Sequence, residues 1–381
     1  MHNNKTFCIK PFTATCVRTD GAITLCCKSI EQSQHNLKSS SIDDWWSSDF
    51  VKQVRTQLLT GQQPASCQIC FDQEKSGITS LRQTINAEHK IFEQYAEKTL
   101  KYLGYPKHLP GDIELQLTNL CNLRCLMCLE TESSSILSEN KILKIANVSQ
   151  TDYKVTKYEM EQLKNLLYTK PRLINLRGGE PLLVPEIKTI LTHAIENNLV
   201  NETIMHLTTN GTKFDDEWLR ILSKFKDVRI QLSIDGIDKT AEYIRYGCNW
   251  NQIENNITKI KELSNVNLFI HATVSNLNLL SIGEVIQWCA DYNHHFQFDT
   301  VMYPGEFSIN NLPPALVSLA RQRLSTIEHP AVNDLLALID KIQSTYTSQW
   351  DKFRQEITMR DNHRNNNILD IIPEFEAYWH V

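Results

Sequence analysis

The 381-residue sequence contains no apolar run long enough to span a bilayer, and its start, Met-His-Asn-Asn-Lys-Thr-Phe-Cys-Ile-Lys, lacks the apolar segment of a signal peptide. Neither charge dominates. Thirty-nine Lys and Arg against 44 Asp and Glu leave a net charge of −5, which argues against a broad nucleic-acid or anionic-membrane surface. There is no low-complexity stretch, and no internal repeat beyond an alternation of strand and helix. These absences leave a soluble globular chain, 41% hydrophobic and 22% charged, long enough for a sizeable core and two domains. The cytoplasm is its default location.

Cysteine is abundant. Nine of the eleven cysteines fall in two groups, residues 8–70 and 121–128, and in a reducing compartment such clustering reads as metal or catalytic use rather than disulfides. Cys121, Cys125 and Cys128 lie in Leu-Thr-Asn-Leu-Cys-Asn-Leu-Arg-Cys-Leu-Met-Cys, directly after an apolar strand. The Cys-x3-Cys-x2-Cys spacing supplies three soft thiolates from one loop, which suits a four-iron cluster and leaves one iron open for a substrate or cofactor. A structural zinc site wants a fourth ligand close by, and the next residues, Leu129, Glu130, Thr131 and Glu132, offer only carboxylates.

From residue 111 onward short strands alternate with amphipathic helices. Strands are expected at Ile113–Leu117, Leu173–Leu176, Thr203–Thr208, Val228–Leu232, Val266–Val274 and Phe296–Met302. Thr156-Lys-Tyr-Glu159 has the form of a capping box, and Pro185 suits the first turn of the next helix. The strand ends carry Gly178-Gly179-Glu180-Pro181, Thr209-Asn210-Gly211 and Ser233-Ile234-Asp235-Gly236, and in parallel α/β folds chemistry gathers at such ends. The fold class expected is α/β, a complete or partial barrel over 111–305. A small cysteine-rich α+β domain over 1–90 and a linker over 91–110 precede it; a helical extension over 306–381 follows.

The open-iron loop, the glycine-rich strand end and the Ser-x-Asp-Gly strand end together resemble the radical S-adenosylmethionine (radical SAM) enzymes over about residues 111–305. The resemblance implies a partial (β/α)6 TIM-like barrel and a [4Fe-4S] cluster on Cys121, Cys125 and Cys128. It also implies S-adenosylmethionine on the fourth iron, cleaved by one electron to a 5′-deoxyadenosyl radical that takes a hydrogen atom from substrate. Gly178, Gly179, Glu180 and Pro181 match the motif that meets the cofactor's amino group. Ser233 matches a polar contact to its ribose or carboxylate, and Arg245 a basic residue pairing with the carboxylate. Met127 and Val274 are expected beside the adenine. An electron donor such as flavodoxin or ferredoxin is implied as a partner. Cys248 and Cys289 are read as structural.

Cys8, Cys26, Cys67 and Cys70 form a second constellation, with Cys16 and Cys27 as spare candidates. With Asp44-Trp45-Trp46-Ser47, Arg55, Gly61, Pro64, Glu74, Gly77, Ser80 and Arg82 around them, they resemble half of an auxiliary-cluster domain. The group resembled is the twitch-domain-containing radical SAM proteins, here with an amino-terminal twitch (half-SPASM-like) module. One auxiliary [4Fe-4S] cluster is the expectation, and a structural zinc site is the competing one. The substrate expected is a peptide or protein side chain. Two other readings stand beside it: radical chemistry on a small molecule such as a sugar or nucleotide, and a non-catalytic iron–sulfur or zinc protein.

Overall fold

The computed structural model describes residues 4–30, 35–75, 79–88, 109–145, 153–342 and 349–379. Gly77 and the expected linker, as far as residue 108, lie outside them. The chain divides into two compact units. The first comprises Met1–Asn119, Thr151–Leu207 and Arg220–Val228; the second comprises Leu120–Gln150, Thr208–Leu219 and Arg229–Val381. Among the described residues no helix is long and apolar enough to cross a membrane.

In the first unit, β1 (Ala14–Val17), β2 (Ile23–Thr24), β3 (Asp112–Leu115), β5 (Leu173–Leu176) and the first four residues of β6 (Ile204–Thr209) form the sheet, in the order β2-β1-β3-β5-β6. All neighbours are parallel except β2, which runs antiparallel to β1. Period-two alternation sets the two faces. Ile174, Leu176, Met205 and Leu207 are buried, while Asn175 and His206 are half-buried on the other face. The register aligns Cys16, Glu114, Asn175 and His206 in one polar row across four strands. The helix Lys157–Leu167 starts with the expected capping box, and Pro185–Glu196 starts on its proline and buries Ile187, Ile190, Leu191 and Ala194.

In the second unit, β7 (Asp227–Ser233, mostly in this unit), β9 (Val266–Val274) and β10 (His295–Thr300) run in the order β7-β9-β10. β9 and β10 are parallel, with Phe296 opposite Ile270. A separate antiparallel ribbon pairs β4 (Arg124–Cys125) with β8 (Arg245–Tyr246). With β3, β5 and β6, the strands β7, β9 and β10 are the six of the expected alternation. β1 is an addition, contributed from far upstream.

The carboxyl-terminal segment belongs to the core of the second unit. Trp350, Phe353, Ile357 and Phe375 are buried in one cluster with Ile270, Val274, Val285 and Cys289. The helix Trp350–Arg364 also carries a buried ionic knot. Glu139, fully buried, accepts hydrogen bonds from Arg360 Nη1 at 2.6 Å, Arg364 Nε at 2.8 Å and Arg364 Nη2 at 2.6 Å. Burial by itself would raise the Glu139 pKa, but the two arginines hold it below the ordinary carboxylate value. Arg364 Nη2 donates as well to the Arg124 carbonyl at 3.0 Å, and Tyr243 donates to Asp361 at 2.9 Å.

Replacing Glu139 with Ala takes the counter-ion from buried Arg364 and leaves buried Arg360 with Glu356 alone. The expected loss is about 3–5 kcal/mol, read as a lower urea midpoint at unchanged slope. A second expectation concerns His294, buried against Trp288 with ring centroids 5.0 Å apart. Burial, assisted by Lys261, pulls its pKa from 6.5 to about 4. The neutral ring therefore stabilises the fold fully above pH 6.5, and this contribution, on the order of 2 kcal/mol, is lost as pH falls toward 4. In His294→Gln the urea midpoint should fall less steeply over that window than in the parent; parallel profiles would refute the assignment.

Candidate functional site

The β4–β8 ribbon builds the three-cysteine loop. It sets Cys125 opposite Arg245 and Arg124 opposite Tyr246, and Leu126 N–H donates to the Ile244 carbonyl at 2.9 Å. Leu123 and Leu126 anchor the loop in the core, while Cys121, Cys125 and Cys128 stay half-buried. The start of the helix Ser134–Leu143 holds the first cysteine: Ser134 Oγ accepts from Cys121 N–H at 3.2 Å, and Ser135 Oγ donates to its carbonyl at 2.6 Å. From the Thr209-Asn210-Gly211 turn, Asn210 Nδ2 donates to Asn122 Oδ1 at 3.0 Å and lies 4.0 Å from Cys121 Sγ. Gly211 sits at φ +78°, where a Cβ would meet Leu232 Cδ1 at 2.5 Å, so this turn needs glycine.

The three thiols lie within electrostatic reach of one another. Burial pushes Cys125 up to about 12, opposed by Arg245, with Cys121 adding repulsion. Burial raises Cys128 well above its ordinary value, and Cys125 and Cys121 push the same way. Thiols so placed cannot ionise together without a cation among them, and soft multiple iron charge suits that donor set. Among the described residues no three His, Cys, Asp or Glu are gathered tightly enough for a single metal ion. Three thiolates on three different irons stand further apart than three on one ion.

Arg245 is held by Asp235. The Asp235 carboxylate is fully buried; its Oδ1 accepts from Thr273 N–H at 2.7 Å, and its Oδ2 lies 2.8 Å from Arg245 Nη2. Arg245 Nη1 approaches Cys125 Sγ at 3.9 Å, and its Nε is buried with no hydrogen-bond partner. Burial favours the neutral guanidine, but Asp235 and the thiols outweigh it and keep Arg245 charged. Ser233 ends β7 half-buried, Val274 is fully buried, and Met127 packs on the core, as Cys121 and Cys125 do. Cys248 and Cys289 are buried in that core. On β9, His271 Nε2 lies 3.2 Å from Asp299 Oδ2 of β10.

The glycine motif and the amino-terminal cysteines lie in the first unit. Gly178 has φ +115°, and a Cβ there would meet the Thr118 carbonyl at 2.9 Å. Gly179 N–H donates to that same carbonyl at 3.2 Å. The Glu180 side chain is fully buried and caps the turn Pro181–Leu183 by accepting from Leu182 N–H at 3.1 Å. Cys8 is fixed from both sides: Arg82 Nη1 and Asn86 Nδ2 each donate to the Phe7 carbonyl at 2.7 Å, and Ile9 N–H donates to Asn86 Oδ1 at 3.1 Å. Ile30 N–H donates to the Ser66 carbonyl at 3.2 Å, tying the Cys26 loop to Cys67. Burial pushes Cys8 up to about 12, and Cys67 and Cys70 add to the rise. Cys26 is raised by burial, then by Cys27, Cys8 and Cys67. Cys27 turns to other partners, with Arg177 Nη1 donating to its Sγ at 3.6 Å. Cys16 lies 3.7 Å from Glu114 Oε1.

Residues 115–289, the span that holds the cysteine loop and all three strand-end motifs, match the profile of the Radical SAM superfamily. That segment is similar to a radical SAM domain. Such a domain implies a [4Fe-4S] cluster and S-adenosylmethionine as cofactors. The sporulation killing factor maturation protein SkfB of Bacillus subtilis is 26% identical over 234 residues, 57% of this chain and 50% of SkfB. The probable GTP 3′,8-cyclase of Methanocaldococcus jannaschii is 23% identical over 190 residues, 47% of this chain and 55% of that protein. The chain thus spans about half the length of the curated relatives it matches. The structure of Streptococcus suis SuiB bound to S-adenosylmethionine aligns with a TM-score of 0.42 at 17% identity, covering 72% of this chain and 62% of SuiB.

Two groups beside the three-cysteine loop escape a reading by motif. Asp235 stands within the quoted Ser-x-Asp-Gly, and Asn210 within Thr-Asn-Gly, but their partners come from residues far along the chain. Gly178→Ala forces a left-handed backbone and a close contact, and should lower stability by about 1–3 kcal/mol. Equilibrium urea unfolding measures it, and an unchanged midpoint would show that the turn relaxes freely.

Proposed function

We propose that the chain is a radical SAM enzyme acting on a peptide or protein side chain. In this reading the α/β region over 111–305 is a partial (β/α)6 barrel, the segment over 1–90 is a twitch-like module with its own [4Fe-4S] cluster, and 306–381 is a helical extension. The observation that carries the proposal is the loop of three mutually repelling, half-buried thiols beside a charged arginine. When bound, the cluster and S-adenosylmethionine would supply one-electron cleavage and hydrogen-atom abstraction. The residues supply the rest. Cys121, Cys125 and Cys128 hold the irons, and Leu123 and Leu126 fix the loop that presents them. Gly178, Gly179, Glu180 and Pro181 shape a backbone able to approach the cofactor's amino group, with Glu180 serving as the cap that sets the turn. Ser233 offers a polar contact, and Met127 and Val274 an apolar wall for adenine. Flavodoxin or ferredoxin fits as electron donor.

The second cluster is supported by Cys67 and Cys70 acting on Cys8, and by Cys8 and Cys67 acting on Cys26, whereas Cys27 is engaged by Arg177. Four thiolates saturate a cluster, so this centre would pass electrons or brace the module rather than bind substrate. The peptide reading draws on the likeness to SkfB, a maturation protein by name. The likeness to a GTP cyclase favours a second reading, a nucleotide substrate.

Anaerobic reconstitution with iron and sulfide should give about eight irons per chain, and the Cys121→Ala, Cys125→Ala, Cys128→Ala triple variant about four, with no 5′-deoxyadenosine formed. About four irons with one zinc in the parent would overturn the second cluster. With dithionite and S-adenosylmethionine, peptide pools should raise 5′-deoxyadenosine release above background; stimulation by GTP alone would replace the peptide reading with the nucleotide one.

A further inference from the structure

Arg245 looks, by its place in the sequence, like a clamp for the carboxylate of S-adenosylmethionine. Its surroundings describe another task. A carboxylate clamp needs one guanidinium edge, two parallel N–H groups, free for the ligand, and both usable edges share Nη2. Here one terminal nitrogen, Nη2, is committed to Asp235 Oδ2 at 2.8 Å. The other, Nη1, is turned to Cys125 Sγ at 3.9 Å. The Nε between them is buried and makes no hydrogen bond. The orientation is over-determined: β8 pairs Arg245 with Cys125 in register, and Asp235 is itself locked by Thr273 N–H at 2.7 Å and, through its carbonyl, by Asn278 Nδ2 at 2.9 Å.

Resting on the assignment of a cluster to Cys121, Cys125 and Cys128, we propose that Arg245 is a positioning residue that sets the reduction potential of that cluster. Asp235 aims its charge at the Cys125 thiolate. Reduction adds one negative charge to the cluster. A guanidinium against a cysteine sulfur stabilises the reduced form and raises the potential; a buried carboxylate nearby lowers it. The two charges are opposite and adjacent, so each tempers the other. Removing them one at a time must move the potential in opposite directions. Merely loosening the loop would move it the same way in both variants.

The test is a redox titration followed by electron paramagnetic resonance on the full chain reconstituted with iron and sulfide, for the parent, Arg245→Gln, Arg245→Lys and Asp235→Asn. The expected result is a more negative potential for Arg245→Gln, a more positive one for Asp235→Asn, and partial recovery in Arg245→Lys. Binding of S-adenosylmethionine, read from the change it makes in the reduced spectrum, should weaken less than threefold in Arg245→Gln. An unmoved potential with S-adenosylmethionine binding weakened tenfold or more would overturn the proposal and restore the carboxylate clamp. Shifts of the same sign in both charge-removing variants would overturn it in favour of a purely structural pair. A parent chain without iron or a reducible signal would instead defeat the cluster assignment itself, and iron counts on each variant keep that outcome separate from the others.

Discussion

Three thiols in one half-buried loop impose the constraint around which the second unit is arranged. As thiolates they repel one another, and burial removes the water that would screen them. The fold answers with charge placed at fixed positions. Arg245 brings a cation to Cys125, and that cation is itself buried and needs an anion. Asp235 supplies the anion and is held in turn by the backbone of β9. Each step commits another piece of the chain: β8 must pair with β4, β7 must end just before Asp235, and β9 must present Thr273. A loop of eight residues thus dictates the ends of two strands and a ribbon.

A second buried carboxylate, Glu139, performs the corresponding task one layer out. It binds Arg360 and Arg364, and Arg364 reaches the carbonyl of Arg124, next to Cys125. Tyr246, opposite Arg124 in the ribbon, lies under the guanidinium groups of both Arg124, 4.6 Å away, and Arg364, 4.7 Å away. Charged residues of the tail are therefore spent inside the protein. Arg360, Arg364 and Asp361 are buried, and their work is to brace the loop.

Much of the fold was readable in advance because the strands and helices carry local periodicity. Leu173–Leu176 and Val266–Val274 fall where the alternation places them, and the Thr156 capping box forms. The place of β1 in the sheet of the first unit was not readable. Its four residues are all buried, so no alternation marks it, and its partner β3 lies about a hundred residues downstream. The ligand candidates were legible from spacing. The partners of Arg245 were not, because they depend on which strand end and which loop the fold brings together. Cys26 and Cys27 show the same limit at the smallest scale. In the turn that carries them, Cys27 meets Arg177 while Cys26 lies within electrostatic reach of Cys8 and Cys67, and composition alone does not choose.

The bond from Arg364 to the Arg124 carbonyl spans 240 residues of sequence, and those from Arg360 and Arg364 to Glu139 span 221 and 225. A ribosome delivers the cysteine loop well before its braces. Until residues 360–364 have emerged, the loop lacks the guanidinium groups that tie it down. The three thiols therefore take their braced positions only after that helix has been made.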